Sequence, residues 1–260
     1  MTATGEASSA ASFRERLGSG QPLIGTWVKT PSSVVCEVLC GTRLDVLALD
    51  AEHAPFGRLE LDQCLAVAKL AGMPALVRVP STNGPDILNA LDCGATGVIA
   101  PHVTSAEAAE VLVKACHFGP GGRGYAGSTR AAGLGRKKMP AHLDDSRQQT
   151  TIVAQIEDVP AVAAIDDIAA VDGIDCLFIG RIDLTVALGE ESPASPAVIE
   201  AVEQVCAAGR AAGRRVGMFV SDLSEVDRWM AAGATLFLLS SDHSFLSAGA
   251  DQLAARFRTP

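Results

Sequence analysis

An apolar run over 46–49 ends on Asp50, Glu52 and His53, followed by Ala54 and Pro55. Charged groups at the end of a buried strand cost desolvation energy, so a cluster of this kind is read first as chemistry. An imidazole transfers protons near neutral pH, and Asp50, three residues earlier, is placed to orient the His53 ring. A helix cap or a salt bridge in a turn is the plain structural alternative. Two more carboxylates, Glu157 and Asp183, each follow an apolar run and suit a hard divalent cation whose shell is completed by water and substrate. Zinc is disfavoured, because no His/Cys set has its spacing. Asp183 stands just ahead of the apolar residues 184–188 and can also be read as a helix cap. Arg78 closes another apolar run, and its planar fork of donors can grip a carboxylate or an oxyanion. Schiff-base chemistry needs a desolvated lysine at a strand end, and of the lysines only Lys29 stands near one.

Short β-branched runs that alternate with segments of helical spacing must position these residues. Strands are expected at 23–28, 46–50, 75–79, 97–101, 152–157, 176–180, 215–220 and 235–240, with helical runs at 59–70, 87–91, 106–114, 159–170, 196–212 and 225–231. Ser32 or Ser33 can cap a further helix that stops at Gly41. Eight strands with helical crossovers predict a single-domain α/β fold, the (β/α)8 TIM barrel, over residues 21–260 behind an N-terminal segment, 1–20, that carries a helix. In that fold the strand C-termini form one rim. Trp27, Asp50 to His53, Arg78, His102, Gln155, Glu157 and Asp183 all fall there. The segment between Val103 and Ile152 exceeds an ordinary connection, so the glycine-rich stretch from Gly119 to Arg136 is expected to be a functional excursion at the rim.

A chain of 260 residues with 48% hydrophobic and 20% charged residues is an ordinary globular composition. The net charge of −9, with no basic cluster longer than Arg136-Lys137-Lys138, argues against nucleic acid. No apolar stretch is long enough for a membrane span, and the first residues lack the order of a secretory signal, so a cytoplasmic protein with no membrane partner is expected. Seven scattered cysteines fit reduced core packing. The Gly119 to Gly124 stretch lacks the lysine-serine ending of a nucleotide phosphate loop.

The chain resembles the HpcH/HpaI family of metal-dependent pyruvate aldolases from about Leu23 to Asp242. The most specific match is Asp50, Glu52, His53, Ala54 and Pro55. Next come Val77-Arg78-Val79-Pro80, Leu91-Asp92-Cys93-Gly94-Ala95, Gly122-Arg123-Gly124, Gln155-Ile156-Glu157 and Phe178-Ile179-Gly180 with Asp183-Leu184. The resemblance implies that Glu157 and Asp183 bind Mg2+ or Mn2+, with Co2+ as a further candidate, and that this ion chelates the pyruvate unit. It implies that Arg78 stabilises the enolate oxygen, that His53 with Asp50 moves the proton, and that Gln155 and Glu52 position these groups. Trp27, Arg123 and Gly180 are expected at the substrate site, and Asp92 reaches toward a neighbouring subunit's site in relatives. Where the family usually reads Gly-Pro-x-Asp-Leu, this chain has Gly180-Arg181-Ile182-Asp183-Leu184, which is expected to set a cation and a bulky side chain beside the metal.

The activity so implied is reversible aldol cleavage of a 4-hydroxy-2-oxoacid to pyruvate and an aldehyde. A synthase or decarboxylase that condenses an oxaloacetate-derived enolate is the alternative on the same scaffold, and a non-catalytic binding protein is a third reading. The residues 245–257 are expected to form an amphipathic terminal helix of the kind that relatives exchange between subunits, which implies a homo-oligomer built as a trimer of dimers.

Overall fold

The computed structural model describes residues 12–258, so residues 1–11 of the N-terminal segment lie outside the described residues. The strands are β1 (Leu23–Val28), β2 (Val46–Asp50), β3 (Ala75–Arg78), β4 (Gly97–Ala100), β5 (Thr151–Ile156), β6 (Cys176–Ile179), β7 (Arg215–Val220) and β8 (Ala234–Ser241). All pair in parallel in sequence order, and β1 pairs with β8 to close a barrel. The helices are α1 (Phe13–Gly18), α2 (Ser33–Cys40), α3 (Arg58–Leu70), α4 (Gly84–Asp92), α5 (Ala106–Cys116), α6 (Met139–Gln149), α7 (Val159–Ala163), α8 (Ile165–Ala170), α9 (Arg181–Ala187), α10 (Pro196–Ala211), α11 (Val226–Ala232) and α12 (Asp242–Arg258). The chain is thus a (β/α)8 TIM barrel. No helix among the described residues is long and apolar enough to cross a membrane.

Side chains alternate along each strand, so one set faces the barrel axis and the other packs under the helices. The inward set includes Trp27, Val46, Ala48, Leu76, Ile99, Val153, Phe178 and Leu236, and α1 adds Phe13 and Leu17 to the same cluster. Space between strands is tight: a Cβ on Gly97 would stand 2.0 Å from the Thr151 carbonyl oxygen, so only glycine fits there. The outward set joins Cys36, Leu65, Ile87, Leu112, Val202 and Trp229 in the shell between strands and helices. All seven cysteines are free, and all but Cys40 are buried, as core residues.

Three elements differ from expectation, each for a local reason. The run 159–170 is broken at Ala164, whose φ of −99° and ψ of 14° end α7 and begin α8. Helix α6 carries no apolar stripe, since only His142 and Ser146 of its residues are buried, and its polar sequence hides it from a periodicity argument. Asp183 is not a cap. Gly180 is the N-cap residue of α9, and Asp183 lies inside the first turn.

Candidate active site at the strand C-termini

The parallel register builds the site two strands at a time. Asp50 and Arg78 are register partners on β2 and β3, which brings the carboxylate and the guanidinium side by side at the rim. Arg78 donates to Asp50 Oδ1 from Nε at 3.0 Å and from Nη2 at 2.8 Å. Both side chains are buried, and Asp50 is fully so. The guanidinium also lies 4.3 Å above the Trp27 ring, and Trp27 in turn meets Phe178 edge-on at 5.8 Å. Its Nε stands 3.2 Å from Glu52 Oε2. Arg78 Nη1 has no partner among the described residues.

Asp50 does not hold the His53 ring. Its Oδ1 accepts from the His53 backbone N–H at 3.1 Å, which fixes the turn after β2, while its Oδ2 faces Lys29 Nζ at 3.4 Å. The expected dyad is replaced by a buried carboxylate between two cations, because the three-residue turn points the His53 side chain outward. The ring is 57% exposed, and its Nε2 lies 3.6 Å from Glu52 Oε2. Burial raises the Glu52 carboxyl above the usual carboxylate range, against the pull of Arg78 and His53.

On the next strand pair, Gln155 and Ile156 of β5 stand opposite Phe178 and Ile179 of β6, so Glu157 and Gly180 follow together. A Cβ on Gly180 would lie 2.8 Å from Glu157 Oε2 and 3.5 Å from Asp183 Oδ2. The missing side chain therefore leaves a hollow flanked by both carboxylates. Gln155 Nε2 donates to Glu157 Oε2, and the backbone N–H of His102 donates to Glu157 Oε1 at 2.9 Å. His102 has a φ of 54°, in the left-handed region, and its Nδ1 stands 3.0 Å from Asp158 and 3.4 Å from Glu157. The bond to Asp158 raises its pKa, against burial, with Glu157 adding to the rise. Among the described residues His102, Glu157 and Asp158 form a further group with ligand atoms close enough to hold a cation. Two carboxylates across a side-chain-free hollow, one of them buried and braced by two donors, fit a hard divalent ion.

A cavity of about 340 Å³ opens over this arrangement, lined by Trp27, His53, Arg78, Gln155, Gly180 and Asp183 among others. Arg181 and Ile182 also line it, but Arg181 is not a free cation beside the two carboxylates. Its Nη1 and Nη2 donate to the two oxygens of Glu225 at 2.9 and 2.7 Å. That partner lies 44 residues away on the turn before α11, which no local reading could supply. Ile182 is half exposed at the mouth. Lys29, the one lysine that the sequence sets near a strand end, lines the cavity together with Phe219, Ser221 and Ser241. The cue available was its position directly after β1.

Asp92 and Arg123 do not join the cavity. Helices run antiparallel to the strands, so Asp92, the last residue of α4, lies toward the opposite end of the barrel. It stands 3.4 Å from Arg123 Nη1, and Arg123 Nη2 donates to Ser146 of α6 at 2.8 Å. The excursion after Gly119 accordingly packs along α3 and α4, where Arg130 pairs with Asp62 and the Ala131 N–H donates to the Asp92 carbonyl. It does not cap the rim of its own chain.

The profile of the family described as HpcH/HpaI aldolase/citrate lyase matches residues 23–248. The chain is 36% identical over 250 residues to 4-hydroxy-2-oxovalerate aldolase from Rhodococcus jostii (strain RHA1), covering 95% of each. Among solved structures, it is similar to an HpcH/HpaI aldolase/citrate lyase family protein from Burkholderia cenocepacia J2315, with a TM-score of 0.89, 32% identity and coverage of 95% of this chain and 98% of that one. It is also similar to the citrate synthase SbnG, with a TM-score of 0.85, 27% identity and coverage of 95% and 97%. The profile match and these similarities extend over nearly the whole length: this chain belongs to the HpcH/HpaI aldolase/citrate lyase family.

Proposed function

We propose that the protein is a carbon–carbon lyase that cleaves a 4-hydroxy-2-oxoacid to pyruvate and an aldehyde, reversibly and with a divalent metal. The observation that carries this reading is one cavity lined by the fork of Arg78, the exposed imidazole of His53 and the Asp183 carboxylate, with Glu157 facing Asp183 across the hollow at Gly180. The cleavage breaks the C3–C4 bond, removes the proton of the C4 hydroxyl and leaves the electron pair on the pyruvate fragment as an enolate. That fragment then takes a proton at C3 to become pyruvate.

Glu157 and Asp183 would hold Mg2+ or Mn2+, with Co2+ as another suitable ion, and the bound ion would supply Lewis-acid stabilisation of the negative charge that develops on the 2-oxo oxygen. Arg78 is held rigid by Asp50 below, Trp27 beneath its face and Glu52 beside it, so its unpartnered Nη1 is preorganised to donate to the same developing charge. His53 takes the C4 hydroxyl proton as general base; its ring is exposed to solvent and to the Glu52 carboxylate, which gives the proton an exit. Gln155 and the His102 N–H fix the rotamer of Glu157. The protein acts in the cytoplasm, on small molecules, with no nucleic acid or membrane partner. Phe245, Leu246, Leu253 and Phe257 are exposed on α12, and we take this apolar surface as the contact of a homo-oligomer, a trimer of dimers.

The test is pyruvate release from a panel of racemic 4-hydroxy-2-oxoacids, with the metal-stripped protein and after addition of Mg2+ or Mn2+. Metal-restored release supports the reading, and full activity of the stripped protein contradicts it. The likeness to a citrate synthase favours a second reading, condensation of an oxaloacetate-derived enolate. Consumption of oxaloacetate with a condensed product, and no cleavage of any 4-hydroxy-2-oxoacid, would select it.

A further inference from the structure

At the end of the barrel away from Glu157, the starts of β3, β4 and β5 enclose a second cavity, of about 210 Å³, against α3 and α6. Its ionisable lining is Lys69, Lys137, Arg123, His142 and a single carboxylate, Asp145. The charges do not balance. Lys137 is paired with Asp145 at 2.5 Å, and Arg123 leans on Asp92 at 3.4 Å. Lys69 donates only to the Arg130 carbonyl oxygen, at 3.3 Å, and has no carboxylate partner among the described residues. Burial and then the neighbouring charges of Lys137, Arg130 and Arg136 hold its ammonium below the ordinary lysine range. Of the basic run Arg136-Lys137-Lys138, Lys137 lines this cavity.

Two deeply buried nitrogens add a second observation. Arg123 is 8% exposed and His142 is 2% exposed, and Arg123 Nε and His142 Nε2 have no hydrogen-bond partner. A buried donor without an acceptor is costly, so such groups call for an acceptor that arrives from outside. His142 is itself held below the ordinary histidine range, by burial and by Arg123 and Lys137. The cations beside it outweigh the carboxylates of Asp145 and Asp92. The glycine-rich stretch does not form a nucleotide loop here, since the Arg123 N–H is spent on the His117 carbonyl oxygen.

We propose that this cavity binds a small tetrahedral oxyanion of the phosphate class. Lys69 of α3, Arg123 of the excursion, Lys137 just after it and His142 of α6 all line the cavity, and the four oxygens of phosphate can accept one each from Lys69, Lys137, Arg123 Nε and His142 Nε2. Occupancy ties the excursion to α3 and α6. The inference is independent of the chemistry at the rim.

The experiment is calorimetric titration of the purified full-length protein with inorganic phosphate, and with malonate at equal ionic strength. Saturable phosphate binding is expected, weakened by about tenfold or more in Lys69→Gln and in Lys137→Gln, as for loss of a charge-assisted bond, with Asp183→Asn unchanged. Both lysines reach solvent, so the variants should fold, and thermal melts check this. The proposal is overturned by absence of saturable phosphate binding, by malonate binding as tightly as phosphate, or by binding that survives both lysine changes and is lost in Asp183→Asn, which would place the anion at the rim.

Discussion

At the scale of the residue, the division of labour between Asp50, His53 and Arg78 sets different expectations for each. His53 is exposed and makes no buried bond through its ring, so His53→Ala should leave thermal stability within about 0.5 kcal/mol of wild type. Aldol turnover should fall by about a hundredfold or more, while oxaloacetate decarboxylation, which removes no hydroxyl proton, is retained to a larger degree. Equal loss of both reactions would assign His53 to building the site. Arg78 is the opposite case. Arg78→Ala leaves the buried Asp50 carboxylate with Lys29 at 3.4 Å as its one neighbouring cation among the described residues and should cost about 3–5 kcal/mol of stability. Arg78→Lys keeps the charge but not the fork, so kcat should drop by about a hundredfold with a smaller change in KM; a change confined to KM would make Arg78 an anchor. The residue types at the strand ends were legible in the sequence because burial makes charge there expensive. The orientation of the His53 ring was not, because a turn of three residues decides it.

Asp92 carries a pH signature of its own. Burial raises its carboxyl above the usual range more than Arg123 lowers it. The folded state then binds more protons than the unfolded state between the two pKa values, so this group costs stability as pH rises from the unfolded value through the folded one. Asp92→Asn removes the titration. Its melting temperature relative to wild type should rise between pH 4 and pH 7, measured in matched buffers; a flat difference would show that Asp92 does not titrate in that window.

At the scale of the element, the hollow between Glu157 and Asp183 depends on the junction of β6 with α9. Gly180 is closed to larger residues because a Cβ would meet Glu157 Oε2 at 2.8 Å. Gly180→Ala should therefore weaken Mn2+ binding by about tenfold or more, as loss of a ligand's alignment does, with the barrel still folded; unchanged affinity by titration would remove Gly180 from the site. The same junction is braced from a distance by Arg181 and Glu225, a pairing with no local sequence signal. Strand positions were readable from continuous apolar runs, and their register then brought Asp50 beside Arg78 and Glu157 beside Gly180. Helix α6 and the course of the excursion were not readable, since polar segments take their places from partners such as Asp62, Asp92 and Ser146.

At the scale of the molecule, the barrel separates two ends with different electrostatics: a rim with paired carboxylates and a far end with uncompensated cations. Its interior is sealed at the far end by α1, whose Phe13 and Leu17 are buried with the inward-facing strand residues, so this helix belongs physically to the barrel core. We propose that at the rim a metal held by Glu157 and Asp183 lets this protein form the enolate of pyruvate. Exchange of the pyruvate methyl protons for deuterium, followed by proton NMR, tests that step without knowledge of the aldehyde. The account predicts exchange well above the buffer rate with Mn2+ or Mg2+, lost on chelation and in Glu157→Gln. Exchange that persists in the metal-stripped protein, or no exchange by the folded, metal-loaded wild type, would contradict it.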